Sequence, residues 1–212
     1  MICLLLVGAS WSVFGAHPET AKFNIFEGTR SPSGRYAVAY RDPKAGEATP
    51  SSDDPTVNEL VDLKSNKVIL KLRGFHGFPD ENHGGMAAKY SPKEDLAAII
   101  RMGKWEPRGL ALVATKTGKQ LDILTKIKSD ADRFVGSKIP RKLVYDVAGA
   151  RLTAGTVTLA IVGEVPKSVD DSVAYLTASY GYSINAKGIT LKKPKIKFIK
   201  ESDLWHWEDP QP

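Results

Sequence analysis

Cysteine is almost missing from this chain of 212 residues: Cys3 is the only one. A single thiol excludes an internal disulfide and any multi-thiolate metal centre. Histidine is scarce too, at four residues, so sites built on imidazole have few places to form. No nucleophile elbow of the form Gly-x-Ser-x-Gly occurs. No glycine-rich phosphate loop followed by Lys-Ser or Lys-Thr occurs either; Thr117-Gly118-Lys119 lacks the upstream glycine that such a loop needs. The carboxylate pairs Asp53-Asp54 and Asp170-Asp171 sit in polar turn sequences, and neighbours on extended backbone point apart. No catalytic residue is assigned.

Charge is missing from Met1 to Ala16. This apolar run is too short to span a bilayer, which takes about 20 residues. It has the length of a signal-peptide core followed by small residues, although the usual preceding positive charge is lacking. The expectation is an exported protein, in the periplasm, at the cell surface or in the medium. Residues 1–16 would be removed and 17–212 would form a single all-β domain with no stable membrane span. Cys3 would leave with the leader. A domain of this length can bury a core without disulfides.

What is present is strand signal. Tyr36, Val38 and Tyr40 alternate with alanines. Residues 59–63 and 68–72 flank Lys64-Ser65-Asn66-Lys67, which predicts a hairpin with Asn66 in a left-handed turn position. Residues 109–115 and 120–124 flank Lys116-Thr117-Gly118-Lys119 in the same way. Further strands are expected at Leu96–Ile100, Thr156–Val165, Ser172–Ser183, Ile189–Leu191 and Lys195–Lys200. One short helix is predicted near 130–137, capped by Ser129 with Asp132 behind it, presenting Ala131, Phe134 and Val135 and stopped by Gly136 and Pro140. Residues 42–55, with three prolines and several serines, predict a mobile loop.

The net charge is +6. Lys187, Lys192, Lys193, Lys195, Lys197 and Lys200 cluster without an intervening acid. An edge strand with outward lysines accounts for them, since such charges block edge-to-edge pairing. No nucleic-acid reader motif accompanies them, so no nucleic-acid partner is expected.

Two segments of the chain align. Arg30-Ser31-Pro32-Ser33-Gly34-Arg35-Tyr36 leads into a strand and then a Lys-flanked hairpin. Tyr90-Ser91-Pro92-Lys93-Glu94-Asp95-Leu96 does the same, with Lys93-Glu94 departing from the Ser33-Gly34 turn. Over about residues 30–124 the pattern resembles the WD40-like repeat of TolB-type β-propellers. That resemblance implies meander sheets that scaffold binding surfaces. Only two units are legible, and a closed propeller needs four or more. The fold class expected is therefore mainly β, with antiparallel, propeller-like meander sheets in an open or irregular arrangement, or a two-sheet sandwich.

Two groups of site residues stand out. The loop from Phe75 to Gly85 carries His76, Asp80, Glu81 and His83, a donor set that suits a divalent metal such as zinc. A glycine-rich connecting loop with surface histidines explains the same residues. The second group is Trp105, Trp205 and Trp207, with Tyr180 and Tyr182 near them in type; exposed aromatics stack on sugars, whereas buried ones fill a core. The leading functional expectation is a non-catalytic binding or scaffold module for a protein or polysaccharide, with no cofactor required. The alternatives are a metal-dependent hydrolase using the 76–83 loop and a carbohydrate-binding domain using tryptophan platforms.

Overall fold

The computed structural model describes residues 23–40, 57–77, 85–104, 106–139, 143–165 and 173–210. The expected leader, the 42–55 loop, Asp80, Glu81, His83, Trp105 and Pro140 lie outside the described residues.

The chain is mainly β, arranged as three antiparallel sheets. The first is a meander of β1 (Asn24–Ile25), β2 (Tyr36–Tyr40), β3 (Val57–Asp62) and β4 (Lys67–His76). The second repeats that order with β5 (Gly85–Tyr90), β6 (Leu96–Met102), β7 (Pro107–Ala114) and β8 (Lys119–Asp122). The third has β9 (Val144–Thr153), β10 (Thr156–Glu164), β11 (Ala174–Asn185) and β12 (Gly188–Leu191), and β13 (Lys195–Phe198) also pairs with β11. Both Lys-flanked hairpins form where the sequence places them. Asn66 and Gly118 take the left-handed positions, at φ 54° and 62°.

The second sheet is the middle layer, and its strands show why. Leu96 through Ile100 are all fully buried. Leu96, Ala98 and Ile100 face one core, and Ala97 and Ile99 face the other. Successive strand residues point to opposite faces, so a continuous apolar run is the signature of a strand covered on both sides. One core lies against the first sheet, with Tyr36, Val38, Leu60, Leu72 and Phe75. The other lies against the third sheet and the helix.

The helix α1 (Leu124–Gly136) is longer than the sequence predicts and begins five residues before Ser129. Ile123, Ile127, Ala131 and Val135 repeat every four residues, and all four are buried. That stripe, rather than a capping side chain, fixes the start; Ile123 N–H is already bonded to the Leu110 carbonyl of the sheet at 2.9 Å.

The two Ser-Pro turns share one hydrogen-bond pattern. Ser31 and Tyr36 bond through their backbones at 2.8 Å, and Ser31 Oγ accepts from Tyr36 N–H at 3.1 Å. Ser91 and Leu96 repeat both bonds, at 2.9 and 3.1 Å. Gly34 sits at φ 71°, and its counterpart Glu94 sits at φ 51°. A glutamate in the left-handed region costs about 1–2 kcal/mol. Its side chain offsets that cost by reaching the other turn: Glu94 Oε1 accepts from Ser33 N–H at 2.8 Å, and Oε2 accepts from Ser33 Oγ–H at 2.6 Å. Glu94→Ala keeps the strain and loses the bridge, so a loss of about 1–2 kcal/mol is expected in urea unfolding. Glu94→Gly relieves the strain and should recover part of that loss.

Candidate ligand-binding groove

The outward face of the third sheet is polar. On β10, Val157, Leu159 and Ile161 point into the core, which turns Thr158 outward. Cross-strand register then sets a row across four strands: Arg151, Thr158, Ser179 and Lys195. The next row is Gly149, Ala160, Thr177 and Lys197. Thr158 Oγ1 and Ser179 Oγ are 3.0 Å apart and share a hydrogen bond. β13 pairs with β11 alone, and Lys195 and Lys197 stand on its outward face, as the edge-strand expectation requires.

The C-terminal segment closes one side of this face. After β13, Ile199 N–H bonds to the Tyr175 carbonyl at 2.9 Å, and a 3-10 turn at Glu201–Asp203 follows. Trp205 then settles over Gly149. A Cβ at Gly149 would stand 2.5 Å from the Trp205 carbonyl oxygen and 2.8 Å from its Cδ1, so only glycine fits. The Arg151 guanidinium lies 4.2 Å from the Trp205 ring centre, a cation–π contact. Between sheet and segment runs a groove of about 550 Å³, lined by Arg151, Thr158, Thr177, Ser179, Lys197, Asp203 and Trp205 among others.

A smaller cleft of about 360 Å³ lies between the second and third sheets. Met86 and Met102 line it from one side, Asp146 and Glu164 from the other, with His206 and Glu208 from the C-terminal segment. Burial pushes the Asp146 carboxyl above its ordinary value of 3.8, and the nearby Glu164 adds to this against the opposing bond from Val147 N–H. A folded value above the unfolded one means that the folded state holds the proton more tightly. Stability therefore falls as pH rises from the unfolded value through the folded one. Asp146→Asn should remove that decline, read as a flatter dependence of the urea midpoint on pH above about 4.

The sequence-predicted site residues fall in different places. His76 closes β4 and is half-buried. Among the described residues, no group of three or more His, Cys, Asp or Glu is placed to hold a metal ion. Trp205 and Trp207 are only 8% and 5% exposed. Trp207 Nε1 donates to the Val147 carbonyl at 2.9 Å, whereas the buried Trp205 Nε1 has no hydrogen-bond acceptor among the described residues. Tyr180 is buried and donates to Asp130 at 3.1 Å. Arg151, Thr158, Thr177 and Ser179 carry no motif. Their one sequence signal is the alternation of hydroxyl and apolar residues in Thr156–Leu159 and Leu176–Tyr180.

Among the described residues no helix is long and apolar enough to cross a membrane. No family model, no curated protein and no solved structure matches the chain.

Proposed function

We propose that this chain is an exported, non-catalytic binding module, with residues 1–16 as its leader and the groove on the third sheet as its ligand surface. The observation that carries this is the construction of the groove. Its floor is a hydroxyl-bearing face of hydrogen-bonded strands, and its wall is a tryptophan seated on a glycine whose Cβ position is already occupied. Rigid sheet elements hold such a surface ready, which lowers the ordering cost of binding. The half-buried hydroxyls of Thr158 and Ser179 offer donors and acceptors of the kind that sugar hydroxyls pair with.

The test is calorimetric titration of the purified chain with a panel of neutral and acidic soluble polysaccharides, alongside Gly149→Ala. Saturable binding to at least one polymer is expected, together with its loss in the variant while the far-ultraviolet circular dichroism stays that of the parent. Silence across the panel overturns the proposal, and so does undiminished binding by a variant whose tryptophan emission shows Trp205 displaced. N-terminal sequencing of protein recovered outside the cytoplasm tests export. A chain still beginning at Met1 would defeat the leader assignment.

A further inference from the structure

Resting on the groove as the ligand surface, we infer that its ligand is a polysaccharide bearing carboxylate groups along its chain. Charge selects the sign. Arg151 lines one side of the groove and Lys197 the other, and Lys195 extends the cationic side in line with Ser179. Asp203 is the one carboxylate on the lining among the described residues.

Spacing selects a chain over a single small ion. Arg151 is on β9 and Lys195 and Lys197 are on β13, with β10 and β11 between them. Three inter-strand steps of about 4.8 Å separate the two cationic edges by roughly 14 Å at the backbone. The Arg151 guanidinium is held on the Trp205 ring, which keeps it at its own side. One phosphate-sized ion reaches one edge at a time, whereas a polymer with repeated anionic groups reaches both.

The floor between the cations selects sugar over a lipid surface. Thr158 and Ser179, both half-buried, present hydroxyls there, with the buried Thr177 beside them. A membrane would meet a recessed groove whose apolar lining residues, Ile199, Leu204 and Trp205, are half-buried or buried and do not project for insertion.

The experiment compares polygalacturonate, the same polymer fully methyl-esterified, inorganic phosphate, and vesicles of phosphatidylglycerol. Polygalacturonate is expected to bind, and the neutral ester at least tenfold more weakly. Binding should weaken as salt rises. Arg151→Gln and Lys197→Gln should each weaken it roughly tenfold, as the loss of one charge-assisted contact does. Lys64→Gln, at the exposed hairpin tip of the first sheet, should leave it unchanged. Equal binding of acid and ester, unaffected by the two groove substitutions, overturns the anionic assignment and leaves the binding module standing. Phosphate or vesicle binding without polygalacturonate binding overturns the polysaccharide. Silence from both polymers in the folded protein removes this inference, and silence across the wider panel removes the proposed function with it.

Discussion

Trp207→Ala should cost about 3–5 kcal/mol, the range for deleting a buried large aromatic. Trp207 is 5% exposed and belongs to the larger core, with Val147, Leu152 and Ile161 of the third sheet and Leu110 and Leu112 of the second. It also ends a hydrogen bond to the Val147 carbonyl at 2.9 Å. That hydrogen bond is lost in the variant, a contribution of about 1 kcal/mol. Domains of this kind have roughly 5–15 kcal/mol in total, so the loss is a large fraction of the whole. Urea unfolding is the measurement: the midpoint should fall with the slope unchanged. A shift below about 1 kcal/mol would mean that the C-terminal segment is not part of the core. Trp205→Phe provides the contrast. The indole N–H there has no hydrogen bond to lose among the described residues and the phenyl ring keeps part of the packing, so the change should cost less than Trp207→Ala, by about 1 kcal/mol or more.

Gly149→Ala is the second large effect, and a single methyl group produces it. The added Cβ would meet the Trp205 carbonyl oxygen at 2.5 Å and the His206 carbonyl carbon at 3.0 Å. Both are backbone atoms, which cannot swing away as a side-chain tip can. Gly149 does not have a left-handed φ, so alanine adds no strain of its own to the strand. The expected outcome is displacement of the segment after β13, with loss of about 1–3 kcal/mol as for other overpacked sites. Tryptophan emission should shift to the red as Trp205 meets water, and protease should cut between 199 and 210 before the rest of the chain. Unchanged emission and protection would show that the sheet can shift to admit the methyl group.

The hairpins were legible because each is a local event. A left-handed Asn66 or Gly118 between lysines specifies a turn, whatever the rest of the chain does. β9 was not legible. Its apolar alternation changes phase at Ala148, where a bulge opposite Ala160 and Ile161 inserts an extra residue, and Gly149 is there to receive Trp205. β5 was hidden by its alanines, which have little strand preference of their own. The helix start was misplaced because Ser129 has the right chemistry for a cap, whereas burial of Ile123 and Ile127 decides where the helix begins. The groove itself left only scattered hydroxyls in the sequence. Its residues come from β9, β10, β11, β13 and the C-terminal segment, and cross-strand register is what aligns them.

By itself the sequence determined the β class, the turn positions, the strand at Leu96–Ile100 and the cationic edge at Lys195 and Lys197, because each is written in neighbouring residues through turn chemistry, a short apolar run or a two-residue period. Tertiary structure alone decided that three meanders stack with the second in the middle, that Glu94 ties one turn to another, and that Trp205 walls a polar groove above Gly149. Those features depend on contacts between residues about 55 to 60 positions apart. Such contacts form only when folded sheets bring the residues together, and no local pattern in the chain encodes them.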